Sequence, residues 1–463
     1  MLAVPNPTKA KHLPGQIQPV DYLATLWQHL TESLCNEVFE LTRDKERQRK
    51  WSLFALLQVW MGLLHCRAHS QTQAVEACGK GNPFFPDVKA TSESFFERIQ
   101  SLRPAFFHNI FLRFTEAILP ICPRNFAASL GLSEADFPEI LVLDGSKLHK
   151  VGRLLKIART ITGAILPGSM EAVYDLRRGI LRNLIFDPDG LRGEKHLLLK
   201  ALTSLPKGSL LVYDRYACYA LYFKAMEESG LFLLARASST VHLEEVSEVL
   251  SIKQGRNRLR ETIVEMGKGN GKRTLRLIDW QTPRGTLRLL TNVLDLKKLP
   301  AHQAILLYVQ RWSVERCFLS LKDTLNLNHL FNASPAAVGG QVFATAILYN
   351  ALRLAQSQIA KKVGVEPERI SPEKLFPRLT EKIVELTLVE DGAERYHLKI
   401  LHENPHAVHP DLHLEREAMF KLSLHGITLE PRLGERRRRR FCQGRKRATS
   451  YNKIPGAKKY VRI

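Results

Sequence analysis

The sequence predicts an α/β protein: a core of buried strands and helices, interrupted by a mostly β insertion, with a helical region before it and a basic tail after it. Three observations carry this. Two short apolar runs each end in an aspartate, Ile140-Leu141-Val142-Leu143 before Asp144 and Leu210-Leu211-Val212-Tyr213 before Asp214. Such runs, bounded by turn residues, suit buried and largely parallel strands. Residues 238–295 alternate apolar and polar positions, and residues 18–135 instead repeat apolar residues every three or four.

Taken in order, residues 1–17 hold Pro5, Pro7 and Pro14 and read as an extended arm. A helical region over 18–137 follows, with Tyr22-Leu23-Leu26-Trp27-Leu30 and Phe54-Leu57-Trp60-Met61-Leu64 marking apolar helix faces around a charge run at 43–50. The core occupies 138–355. Its first strand ends at Asp144, and Ala172–Tyr174 with Leu181–Ile185 form a strand pair around Arg177-Arg178-Gly179. The fourth strand ends at Asp214, a helix runs to Glu228, and Leu231–Leu234 is the fifth strand. Thr262-Ile263-Val264, Leu275–Ile278 and Leu287–Leu290 mark strands of the insertion at about 238–295. One helix is expected over 302–325, then a partly helical region at 356–430 and a basic tail at 431–463.

The helix over 302–325 carries Tyr308, Arg311, Glu315 and Lys322, spaced Y-x2-R-x3-E-x6-K. At about 100° per residue these offsets fall near 300°, 340° and 320°, so all four share an arc of roughly 60°. One face thus presents a carboxylate, two cations and a phenol, where a core helix would present Leu or Val. Three convergent carboxylates, Asp144, Asp214 and Glu315, repel one another unless a divalent cation lies between them, and hard oxygen ligands suit Mg2+ or Mn2+. Tyr308, Arg311 and Lys322 have the chemistry to position phosphate. Trp312, about 40° around the helix from Tyr308, stands beside this face and could stack on an unpaired base or anchor the helix to the sheet. Trp280 in the insertion is a second stacking candidate.

These residues resemble the DDE transposases of the bacterial insertion sequence four family, in the branch with a Tyr-Arg-Glu-Lys signature. The resemblance covers about residues 140–355: Asp144 in VLDGS, Asp214 in VYDRY, Glu315 in the segment YVQRWSVERCFLSLK, the approach segment Thr286–Asp295 and the apolar stretch Phe343–Leu354. Family members often carry Gly after the second Asp-Arg pair, where this chain has Tyr216. The resemblance implies a ribonuclease-H-like catalytic fold, with the insertion between its second aspartate and its glutamate. It implies metal-dependent cleavage at transposon ends, with two ions, Asp144 bridging both and Asp214 and Glu315 holding one each. The freed 3′-hydroxyl would then attack target DNA. Tyr308, Arg311, Lys322, Trp312 and Arg215 are the DNA contacts it suggests, the N-terminal region is expected to grip the transposon end, and the protein is expected to be a homodimer on paired ends. A nuclease without strand transfer, or a decayed copy that only binds DNA, uses the same residues or a subset of them.

Charge agrees with a polyanionic partner. The formal net charge is +22 over 463 residues. Residues 431–463 hold thirteen Lys or Arg against the single acid Glu435, a net of +12 that leaves +10 on the rest. The seven cysteines include no C-x-x-C pair, which argues against a disulfide framework or a zinc site and for a reducing compartment. His402, His406, His409 and His413 have helical ligand spacing, but Pro405 and Pro410 break it. No secretory signal or membrane-length apolar run is visible, so a cytoplasmic protein acting on DNA is expected.

Overall fold

Before the core, helices form where apolar residues recur at helical spacing. α1 (Glu32–Thr42), α2 (Leu53–His65), α3 (Gln71–Ala77), α4 (Ser92–Ser101) and α5 (Pro104–Ile118) follow one another along the chain. Ser52 starts α2 by accepting the Ala55 N–H at 3.1 Å, satisfying one of the donors a helix start leaves open. α2 is buried on nearly every side, Leu53 through His65, because it lies inside the protein rather than on it. The computed structural model describes residues 22, 26–42, 50–66, 68–80, 84–89, 91–148, 168–188, 205–214, 219–237, 241–283, 285–332, 334–377 and 379. The arm at 1–17, the charge run at 43–49, Arg215, Tyr216, the histidines of 402–413 and the basic tail lie outside the described residues.

β1 (Ile140–Lys147), β2 (Ser169–Asp175), β3 (Ile180–Asp187) and β4 (Leu210–Tyr213) come next, then α6 (Ala220–Glu228) and β5 (Phe232–Arg236). β6 (Glu244–Gln254), β7 (Asn257–Met266), β8 (Arg273–Thr282) and β9 (Gly285–Thr291) complete a nine-stranded sheet ordered β3-β2-β1-β4-β5-β9-β8-β7-β6. β1, β4 and β5 are parallel, and the other pairs are antiparallel. The insertion therefore extends the same sheet through β9, which pairs with β5. β1 outlasts its expected end at Asp144 and runs to Lys147, because antiparallel β2 continues to pair with it as far as Ser169.

The helix expected over 302–325 is three pieces: α7 (Ala301–Gln310), α8 (Trp312–Leu319) and a π turn at Ser320–Thr324. The break falls at Arg311, whose N–H bonds back three residues to Tyr308 O at 3.2 Å. α9 (Pro335–Val363) then crosses the interior, capped at its start by Ser334 and ended by Gly364 at φ +71°. It packs on α5, β3 and α2. Gly339 permits the approach to α5, since a Cβ there would meet Pro104 at 2.7 Å. Asn350 of α9 accepts the Leu181 N–H at 2.8 Å and donates to Leu181 O at 2.8 Å and Thr115 Oγ1 at 3.0 Å. One side chain thus ties α9 to β3 and α5.

Alternation along the strands separates two apolar layers. Ile140, Val142, Leu210, Val212 and Leu234 join the helices α1–α5, α7, α8 and α9 on one face. Leu141, Leu143, Leu211, Tyr213, Leu233 and Ala235 pack with α6 residues Tyr222, Phe223 and Met226 on the other. The N-terminal helices thus share one contiguous core with the sheet.

Candidate active site

The parallel strands set the geometry. Their last paired residues include Val142 opposite Val212 and Tyr213 opposite Ala235. Asp144 and Asp214 therefore sit level on neighbouring strands, about 4.8 Å apart by strand spacing. Leu143, Tyr213 and Ala235 face the α6 layer. By alternation Asp144, Asp214 and Arg236, one residue further on, turn to the opposite face, that of α7 and α8. Arg236 is a cation that sequence reasoning missed. Its signal was available, because the fifth apolar run, like the first and fourth, ends in a charged residue.

Glu315 and Arg311 meet this edge from the break between α7 and α8. Arg311 bridges the carboxylates: Nη1 donates to Asp144 Oδ2 at 2.9 Å and Nη2 to Glu315 Oε1 at 3.1 Å. Its Nε finds no acceptor among the described residues. Burial works against the Arg311 charge, yet Asp144, Tyr308 and Glu315 hold its pKa above the ordinary value. Burial also pushes Asp144 up to about 6, against the pull of Arg311 and of the Gly145 N–H, while Glu315 and Asp214 push the same way as burial. That dependence places Glu315 and Asp214 within electrostatic reach of Asp144. Among the described residues, however, no three His, Cys, Asp or Glu side chains are gathered into a metal-ligating set. The expected carboxylate cage is here a pair of carboxylates with a guanidinium between them.

The rest of the signature gathers at the same place. The Tyr308 ring is half-buried, with its pKa raised by that burial, and Asp214 and Arg236 are close enough to influence it. The Arg311 guanidinium lies 5.9 Å from the Tyr308 ring centroid and 5.4 Å from that of Trp312. Lys322, on the π turn, donates to Ser146 Oγ at 2.6 Å. Ser146 is a second residue the sequence reading passed over. Trp312 is 57% exposed, so it does not anchor the helix to the sheet. Trp280 lies on β8, outside this cluster, and Arg215 lies outside the described residues. Cys35, Cys66, Cys78, Cys122 and Cys317 are free thiols. Among the described residues no helix is long and apolar enough to cross a membrane.

Comparison with known proteins now places this arrangement. Residues 138–351 match the family model of the transposase DDE domain, a span that contains β1 through β9 and most of α9. A protein of Sinorhizobium fredii (strain NBRC 101917 / NGR234) named as a transposase is 25% identical over 194 residues, covering 38% of this chain and 54% of that protein. A Geobacillus stearothermophilus protein named for a transposase of insertion sequence element IS5377 is 30% identical over 145 residues, 31% of this chain and 34% of that protein. The chain thus spans about half of one relative's length and about a third of the other's. A cryo-EM structure of the piggyBac transposase synaptic complex with hairpin DNA aligns over 84% of this chain and 85% of its own at 11% identity, with a TM-score of 0.35, too low to assign a common fold. The segment that carries Asp144, Asp214, Arg311 and Glu315 is, by the family match, similar to a transposase DDE domain.

Proposed function

We propose that the protein is a DNA transposase of the insertion sequence four family, in its Tyr-Arg-Glu-Lys branch. It would cleave DNA at the ends of an insertion sequence and join the freed 3′-hydroxyl to target DNA. One observation carries the reading: Asp144 and Asp214 each lie two residues past the last parallel pair of β1 and β4, Val142 opposite Val212, and Glu315 is joined to Asp144 through Arg311. Functional groups gather at such strand ends in α/β sheets. The chain order β-β-β-β-α-β, with aspartates on the first and fourth strands, supports a ribonuclease-H-like fold.

The donor set fits Mg2+ or Mn2+ in its chemistry. It is all carboxylate oxygen, and desolvated Asp144 sits against a positive neighbour, which in this structure is Arg311. Asp144, Asp214 and Glu315 would hold the two ions. When bound, such ions lower the pKa of a water and stabilise the leaving 3′ oxygen. The remaining work falls to the chain's own side chains. Arg311 would exchange the carboxylates for a phosphate, to which its planar fork is suited. Lys322, held by Ser146, and Tyr308 would position the backbone, and exposed Trp312 would stack on an unpaired base. Arg215 adds a further DNA contact in this reading, and a homodimer would hold the two ends in the cytoplasm.

The test uses DNA carrying the element's ends, assayed for Mg2+-dependent nicking beside a gel shift. Asp144→Ala, Asp214→Ala and Glu315→Ala should each abolish nicking and leave DNA binding intact, because carboxylates near phosphates repel them. Full cleavage by any of the three variants would overturn the assignment.

A further inference from the structure

The β6–β7 ribbon pairs its cations with acids along its lower half and leaves its tip without acids. Arg260 bonds Glu245 at 2.7 Å and Glu248 at 2.5 Å, and Lys272 pairs with Glu244 at 2.8 Å and with Glu265. Between residues 249 and 260 the sequence has no Asp or Glu but holds Lys253, Arg256 and Arg258. All three are exposed. Lys253 lies directly opposite Arg258 in the ladder, and Arg256 stands in the two-residue turn beyond them, after Gly255 at φ +59°. Like charges directly opposed on two strands destabilise the pair. Among the described residues, none of the three forms an ion pair, and Arg258 Nη2 donates to Ser251 Oγ at 3.5 Å. The ribbon's one other cation, Arg260, is paired with two acids, so this cluster is kept at a cost.

Strand directions put that tip on the same edge as the aspartates. β9 is antiparallel to β5, with Leu289 opposite Arg236, and the ladder continues through Ile278 and Glu261 to Leu250. Arg236 is therefore level with Leu250, and Gln254 lies four residues further on, about 13 Å beyond the edge at strand rise. Counting strand spacings along β4-β5-β9-β8-β7-β6 puts the ribbon about 19–24 Å to the side of Asp214. That offset is about the length of six or seven base-pair steps.

We propose that the β6–β7 tip is a second DNA-binding surface, in which Lys253, Arg256 and Arg258 grip duplex phosphates about 19–24 Å to the side of Asp214. The inference rests on the DNA-processing reading above, and it concerns binding to duplex backbone without base readout.

The test measures the affinity of the full chain for a 30-base-pair duplex, about 100 Å long at 3.4 Å per step, as a function of salt, without Mg2+ so that cleavage plays no part. Wild type is compared with the triple variant Lys253→Ala, Arg256→Ala, Arg258→Ala. The slope of log K against log salt should fall by about 2–3 units, since each lost phosphate contact removes about 0.9. The triple reversal to Glu should weaken binding further, and thermal melting of both variants should match wild type. An unchanged slope and affinity in the Ala variant, with wild type binding the duplex, would overturn the proposal and leave the transposase reading standing. A reduced slope in the Ala variant, with wild type failing to nick element ends when Mg2+ is supplied, would support the tip and sink the transposase reading. Wild type that binds no duplex at all would sink both.

Discussion

Asp144 is held in a setting that disfavours its own charge. Burial raises its pKa to about 6 from an ordinary carboxylate value of 3.8. A folded-state pKa above the unfolded one means the native state binds the proton more tightly. The resulting stability is fully present below about pH 4 and is lost as pH rises through about 6. Above that, ionised Asp144 costs the metal-free protein up to about 3 kcal/mol, at 1.36 kcal/mol per pKa unit. Asp144→Asn should therefore raise stability by about 1–3 kcal/mol at pH 8 in EDTA, with little gain at pH 4, while abolishing cleavage. Urea melts at the two pH values decide this, and an equal effect at both would show that the carboxyl charge is not the cause. Arg311 carries a related lesson. The R-x3-E spacing is the i,i+4 separation at which ion pairs form on a helix, and the pair does form, but Arg311 also bonds Asp144, 167 residues away in sequence.

At the scale of elements, α9 is held to the sheet through few polar contacts, each fully used. Asn350 satisfies both backbone groups of Leu181 and bonds Thr115, all buried. Asn350→Ala should cost about 3 kcal/mol, because it leaves a buried N–H and C=O without partners. A shift in the urea midpoint of the metal-free protein measures it, and a loss below about 1 kcal/mol would mean that the neighbouring groups find other partners. The core strands β1, β4 and β5 were legible in the sequence because they are short apolar runs bounded by turns, whereas β6, eleven residues and exposed almost throughout, carries no such signal. The segmentation of the signature helix was not legible. Helical periodicity over 302–325 cannot show a break whose place coincides with one side chain reaching two carboxylates, one of them 167 residues away.

At the scale of the molecule, charge dominates what the protein can do with a polyanion. The net +12 of residues 431–463 includes five consecutive arginines, 436–440, and such a run contacts phosphate without reading sequence. Truncation after Glu430 should weaken binding to all duplexes by a similar factor, with the largest loss at low salt. Competition gel shifts with element-end and unrelated duplexes check this. Selective loss of the preference for element ends would make the tail a specificity element.

The sequence by itself determined the order of core elements along the chain, the two aspartates that follow apolar runs, the β character of the insertion and the excess of positive charge, because period, turn residues and charge are local properties. Only the tertiary structure decided that Asp144 and Asp214 are level, that Arg236 joins them and that Arg311 stands between Asp144 and Glu315. It also decided that the insertion extends the central sheet and carries its charged tip past the same edge. Each of these depends on the register between strands distant in sequence, and register is fixed by which apolar faces are buried together.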